Sequence, residues 1–209
     1  MPVEHEYKFI LSKDILKDPG FQVKPMEIEQ GYLAKGPGMS LRVRSVKRQP
    51  RSAEDFYRDP DWYVTLKQKV GDKTVEIENS ISTEDGESLW TKCTGKLKKL
   101  RYVYEDYSTQ EDNRWELDVF MDGDEIYFIM AEVELAFGKP RPPASFFIAP
   151  YVIYEVDLTD ERFSNKNLGD VEFAKQLYQE LQTKKEADNG HNNKEKQENV
   201  QSDQEESGC

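Results

Sequence analysis

Pairs of like charge set two positions apart recur along the chain, and they constrain its fold more than any other feature. Three are basic: Arg42 with Arg44, Lys67 with Lys69, and Lys99 with Arg101. Four are acidic: Glu4 with Glu6, Glu76 with Glu78, Glu116 with Asp118, and Glu132 with Glu134. A period of two places both members on one face of a β-strand, roughly 7 Å apart, and turns their neighbours to the other face. Those neighbours are largely aromatic or branched, as with Tyr7 and Phe9 beside Glu4, Glu6 and Lys8. Any single pair is satisfied by an antiparallel sheet with one wet face. Repeated over at least seven strands, the pairs fit a closed or nearly closed antiparallel barrel whose charged face is the lumen and whose outer face is covered by helices and loops.

Alternation predicts strands over 4–11, 26–34, 40–46, 62–70, 74–81, 96–105, 114–121, 125–137 and 151–158. Gly36-Pro37-Gly38, Gly71-Asp72 and Asp122-Gly123-Asp124 read as hairpin turns. Ser12 caps a short helix over 13–17, and Ser82 with Asp85 opens another that carries Leu89 and Trp90. Phe173, Ala174, Leu177 and Leu181 fall at helical spacing, which predicts an amphipathic helix over 170–183. Residues 49–61 read as a loop.

The chain of 209 residues is expected to form one domain over 1–182, mainly antiparallel β in an α+β class. From 183 to 209 the composition is polar and free of aromatics, so a disordered tail is expected. A net charge of −12 argues against binding duplex DNA or RNA, or an anionic membrane. No apolar run reaches the length of a membrane span, and the opening residues are acidic rather than a secretory leader; a cytoplasmic protein is expected. Cys93 and Cys209 are too few and too far apart for a disulfide framework.

Acids in such a lumen can hold Mg²⁺ or Mn²⁺ through oxygen, and the bases can hold a polyanion. A triphosphate with its metal ions needs both. Here the motifs resemble a known family. Glu4-x-Glu6-x-Lys8, Ile28-Glu29-Gln30-Gly31-Tyr32-Leu33, Arg42-x-Arg44, Thr65-Leu66-Lys67, Glu76-x-Glu78, Lys99-x-Arg101, Glu116-Leu117-Asp118, Glu132-Val133-Glu134 and the stretch from Asp160 to Leu168 are similar, in this order, to those of the triphosphate tunnel metalloenzymes, the CYTH superfamily. The likeness covers about residues 3 to 181.

The resemblance implies an eight-stranded closed tunnel with a few helices outside it, acting on a small triphosphate-containing molecule as a monomer or homodimer. It implies metal ligands at Glu4, Glu6, Glu132 and Glu134, with Glu116 and Asp118 as further acidic wall. Phosphate contacts are implied at Lys8, Arg42, Arg44, Lys67, Lys99 and Arg101, and Lys69 completes a basic pair at a position the family leaves variable. Lys166 stands in the closing motif where a small polar residue is usual. The catalytic set is Lys8, Arg42 and Arg44, with Glu76 or Glu78 assisting the attacking water. Metal-dependent hydrolysis of the terminal phosphate, of inorganic triphosphate or an organic or nucleoside triphosphate, is the simplest reaction for such a lumen. An adenylyl cyclase making cyclic AMP from ATP, or a module that binds polyphosphate or nucleotide without turnover, are the alternatives.

Overall fold

The computed structural model describes residues 5–21, 23–49, 59–71, 73–106, 113–136 and 138–187. Glu4, residues 50–58 of the expected loop and the tail from 188 lie outside them.

The predicted alternation appears as nine strands: β1 (His5–Leu11), β2 (Met26–Gly36), β3 (Met39–Lys47), β4 (Asp61–Val70), β5 (Lys73–Ile81), β6 (Thr94–Asp106), β7 (Asn113–Asp122), β8 (Glu125–Leu135) and β9 (Val152–Glu155). They form one sheet in the order β5-β4-β3-β2-β6-β7-β8-β1-β9, with every neighbouring pair antiparallel. The mainly antiparallel α+β class is as expected. The eight-stranded closed ring is not what the described residues form: there are nine strands, and no ladder joins β5 to β9. β9 has only four residues and pairs only with β1, and β5 leads directly into the capped helix α1 (Thr83–Trp90), which carries the chain to the outer face.

The open sheet is nevertheless curled. Ile10 of β1 and Leu97 of β6 stand three places apart, roughly 14 Å in a flat sheet, yet they belong to one buried cluster with Leu177 and Leu181, so the face they share with the charged pairs is concave.

Three apolar clusters fix this shape. On the outer face of β1, β7 and β8, Tyr7, Phe9, Leu11, Trp115, Leu117, Ile129 and Val133 pack under Ile15 of the 3₁₀ turn Lys13–Lys17 and under Ile148. Ser12 caps that turn through Asp14 N–H. On the outer face of β3 and β4, Val43 and Trp62 meet Cys93, Leu89 and Trp90, and Gly86 of α1 lies directly against the Trp62 ring. The third cluster lies inside the curve. Ile10, Leu97, Phe120, Phe128 and Met130, which share a face with the charged pairs, are covered by Phe163, by Leu168 of α2 (Asn165–Leu168), and by Ala174, Leu177, Tyr178 and Leu181 of α3 (171–187). Tyr178 Oη donates to Leu11 O at 2.8 Å and ties α3 to β1.

Helices were expected outside the sheet, and α1 is there. α3 instead fills one end of the concave face, because the inward residues at that end of β1, β6, β7 and β8 are apolar and burying each large one is worth about 1.5–3 kcal/mol. α3 also runs four residues beyond its expected end, into the first part of the expected tail.

A bulge in β2 is the other departure. Tyr32 pairs with Arg42, but Ala34 pairs with Leu41 and Lys35 with Ser40. Leu33 is the extra residue, so Lys35 turns to the concave side, where strict alternation would send it outward.

Candidate active site

Register carries the charged pairs onto one surface. Lys8 faces Glu132 and Glu6 faces Glu134. Glu132 faces Glu116, and Arg101 faces Asp118. On the other half of the sheet Arg42 faces Thr65 and Thr65 faces Glu78, while Lys67 faces Glu76. Cross-strand neighbours on one face touch, and pairs of opposite sign stabilise each other by about 0.2–1 kcal/mol.

The charges gather into two clusters. In the first, the Lys8 ammonium stands between Glu6 Oε2 at 3.0 Å and Glu132 Oε1 at 2.8 Å. Arg101 donates through Nε and Nη2 to the two oxygens of Asp118, each at 2.7 Å, and its guanidinium also reaches Glu132 at 3.3 Å and pairs with Glu116. Lys99 donates to Asp118 at 2.5 Å and to Asn165 Oδ1 of α2 at 3.2 Å. Burial opposes the charge of Lys8, but Glu132 and Glu6 outweigh it and hold its pKa above the ordinary lysine value. Burial likewise opposes Glu6, yet Lys8, with Lys67 and Arg101 behind it, brings its carboxyl down to about 2. Glu132 moves the other way: burial and the nearby Glu6 push it up against the pull of Lys8. Burial, with Arg101 alongside, lowers Lys99 to about 8 in spite of Asp118.

In the second cluster Arg42 Nη2 lies 3.1 Å from Glu76, Arg44 Nη2 lies 2.8 and 3.0 Å from the two oxygens of Glu78, and Lys67 lies 2.7 Å from Glu76. Thr65 Oγ1 donates to Glu78 Oε2 at 2.7 Å. The Nε donors of Arg42 and Arg44 are buried and have no hydrogen-bond partner among the described residues. Burial, then the neighbouring Arg42, lowers the pKa of Arg44. Each guanidinium thus keeps one donor that no described residue accepts from.

The expected residues are therefore largely together, in unequal settings. Lys8, Arg42, Arg44, Lys67, Arg101, Glu6, Glu76, Glu78, Glu116 and Glu132 belong to the two clusters. Asp118 and Lys99 are there too, but they are 0% and 1% exposed. Lys99 was expected as a phosphate contact and Asp118 as acidic wall; here they form a closed pair beneath Arg101. Glu134 is exposed opposite Glu6, and Lys69 is exposed at the hairpin end of β4. Glu4 lies outside the described residues. Gln30 and Tyr32 were not expected as site residues, although their spacing put them on one face: Gln30 Nε2 donates to Tyr32 Oη at 3.3 Å between the two clusters, and Gln30 Oε1 is buried without a partner among the described residues. Asn165 could not have been found from spacing at all.

Among the described residues no group of three or more acidic, histidine or cysteine side chains converges as a metal site. The donor chemistry still fits a hard cation, because Glu6 and Glu132 already flank one positive group, the Lys8 ammonium, with carboxylate oxygens. At the Arg101 end of the face a recess of about 530 Å³ is lined by Val23, Lys24, Pro25, Met26, Arg48, Gln49, Arg101 and Val103. Among the described residues no helix is long and apolar enough to cross a membrane.

No family model matches the chain, and no curated protein matches it. Among solved structures it is similar to a Bacillus halodurans protein described as a candidate adenylate cyclase, at 16% identity and a TM-score of 0.45, over 64% of this chain and 81% of that one. It is also similar to a Hippeastrum protein described as a candidate adenylyl cyclase with a dominant triphosphatase activity, at 18% identity and a TM-score of 0.44, over 63% of this chain and 79% of that one.

Proposed function

We propose that the protein is a Mg²⁺- or Mn²⁺-dependent hydrolase that removes the terminal phosphate of a triphosphate. The observation that carries this reading is the concave second cluster, where Arg42 and Arg44 keep unspent Nε donors while their Nη groups rest on glutamates. Guanidinium forks match two phosphoryl oxygens at once, and lysines act as movable point charges beside them. Arg42 and Arg44 would exchange Glu76 and Glu78 for phosphate oxygens, with Lys67 and Lys8 neutralising the remainder. Glu76 or Glu78, relieved of its arginine, would take a proton from the attacking water as the water oxygen bonds to the terminal phosphorus and the bridging P–O bond breaks. Glu6 and Glu132, with Glu134 and Glu4 as further candidates, would hold the divalent cation. When bound, that cation supplies Lewis-acid neutralisation of phosphoryl oxygens.

The recess of about 530 Å³ beside Arg101 favours an organic triphosphate over the inorganic one, since Val23, Pro25, Met26 and Val103 offer apolar walls that a bare phosphate chain would not use. It also keeps the cyclase reading in play, and only the products separate the two. The test is a panel of inorganic triphosphate, ATP, GTP and thiamine triphosphate in Mg²⁺ and in Mn²⁺, with products identified. Phosphate release is expected. Cyclic AMP from ATP would replace hydrolysis with cyclisation, and tight metal-dependent binding without any product would make the protein a binding module.

A further inference from the structure

Strand register fixes how far the recess beside Arg101 stands from the arginines of the second cluster. Met26, which lines it, opens β2 and faces Arg101. Further along β2, Gln30 faces Arg44 and Tyr32 faces Arg42. At the rise of a strand, the recess is roughly 13 Å from the Arg44 position and roughly 20 Å from the Arg42 position. The row of Arg42 and Arg44 runs on toward Arg48, one residue past the end of β3, which also lines the recess. A bare triphosphate on Arg42 and Arg44 ends short of it, whereas a nucleoside triphosphate extended along β2 and β3 brings its base there.

The lining selects among organic groups. Pro25, Met26 and Val103 give it apolar walls, and its volume of about 530 Å³ suits a small ligand. Its charged members are Lys24, Arg48 and Arg101, and no carboxylate lines it among the described residues. Arg48 pairs with Asp61, and Arg101 with Asp118 and Glu116, so both guanidinium charges are answered from outside the recess. A cationic organic group, such as the thiazolium of thiamine triphosphate, meets cations and no counter-charge here, and desolvating an unpaired charge is costly. A neutral base meets the apolar walls and the Gln49 carboxamide, whose donor and acceptor match the two-point edge of adenine.

We propose that this recess is the subsite of a neutral nucleobase, with adenine the best match, and that Met26 and Gln49 set a preference for a nucleoside triphosphate over thiamine triphosphate and inorganic triphosphate. The subsite rests on the triphosphate position proposed above, on Arg42 and Arg44, and it serves hydrolysis and cyclisation equally.

Calorimetry on the full chain with metal chelated, so that no turnover intervenes, tests this with ATP, thiamine triphosphate and inorganic triphosphate as separate titrants. ATP is expected to bind tenfold or more tighter than either of the others. Gln49→Glu, at an exposed position that tolerates the change, is expected to lower the advantage over thiamine triphosphate threefold or more, because it gives the thiazolium a carboxylate. Met26→Ser is expected to lower the advantage over inorganic triphosphate by as much, because it removes an apolar wall. An advantage below tenfold, an advantage that neither variant lowers threefold, or a wild type that binds no titrant overturns the subsite. A chain that binds ATP in this way but releases no phosphate once metal is added refutes the hydrolase and keeps the subsite. One that binds and hydrolyses all three alike refutes the subsite and keeps the hydrolase.

Discussion

Replacing Asp118 with Asn removes the negative charge on which the first cluster depends. Its carboxylate is fully buried and accepts from Lys99 at 2.5 Å and from Arg101 twice at 2.7 Å. Asp118→Asn keeps one acceptor oxygen but no charge, so Lys99 is left without a hydrogen-bonded carboxylate and Arg101 with Glu132 and Glu116. Breaking a buried ion pair from one side costs about 3–5 kcal/mol, against a total stability of about 5–15 kcal/mol for a domain. The variant should fold, but with a large part of its margin gone. The effect also carries a pH signature. Lys99 is lowered from 10.5 to about 8 in the folded protein, so between those values the unfolded chain holds a proton that the folded one has released. Stability from this group therefore rises with pH across that window, by on the order of 3 kcal/mol in full. Without Asp118 the ammonium loses support, its folded pKa falls further, and the gain begins below pH 8. Arg101 cannot deprotonate, so recovery is partial. Urea unfolding at pH 7 and pH 9.5, compared through midpoints at equal slope, is the measurement. A deficit that shrinks at the higher pH is expected. A deficit under about 1 kcal/mol at pH 7, or one that does not shrink, would refute the buried-pair reasoning.

Two further substitutions probe the scaffold and the face. Gly86→Ala places a Cβ 2.3 to 2.7 Å from Trp62 ring atoms; overpacking costs about 1–3 kcal/mol, more than the roughly 1 kcal/mol of helix propensity that alanine adds. The melting temperature should drop, and a rise would mean that α1 does not sit on Trp62. Arg42→Ala removes the guanidinium that spans Glu76 and Glu78 at 3.1 and 3.8 Å. Phosphate release should slow by about 10²–10³-fold, by analogy with other donors to a developing anion, and a change under threefold would place Arg42 outside the chemistry.

The face on which each charge lies was readable because it follows from a period of two, which no packing detail can alter while a strand stays regular. The predicted side of Tyr7 and Phe9 is where they are buried, and the inward row Leu97, Lys99, Arg101 and Val103 follows its spacing. Depth was not readable. Lys99 and Arg101 are two residues apart and identical in pattern, yet one is sealed and the other reaches Glu132 and Glu116, because α2 covers only the first. Bulges were equally hidden. Nothing in Tyr32-Leu33-Ala34-Lys35 announces that one residue will be skipped, and that skip decides on which side Lys35 stands. The position of α3 depended on inward apolar residues from four strands acting together, which no local window contains.

The place of β1 in the sheet sets the order in which the protein can be assembled. Its residues precede those of every other described strand, but their partners are Glu125–Leu135 on one side and Val152–Glu155 on the other. β2 to β5 can zip as consecutive hairpins while the chain is still emerging, since each strand pairs with the next. β1 must wait, and closing so long a loop is slow compared with local pairing. Arg42, Arg44, Lys67, Glu76 and Glu78 thus form an early half of the face, and Lys8 meets Glu132 only when more than a hundred further residues have been made.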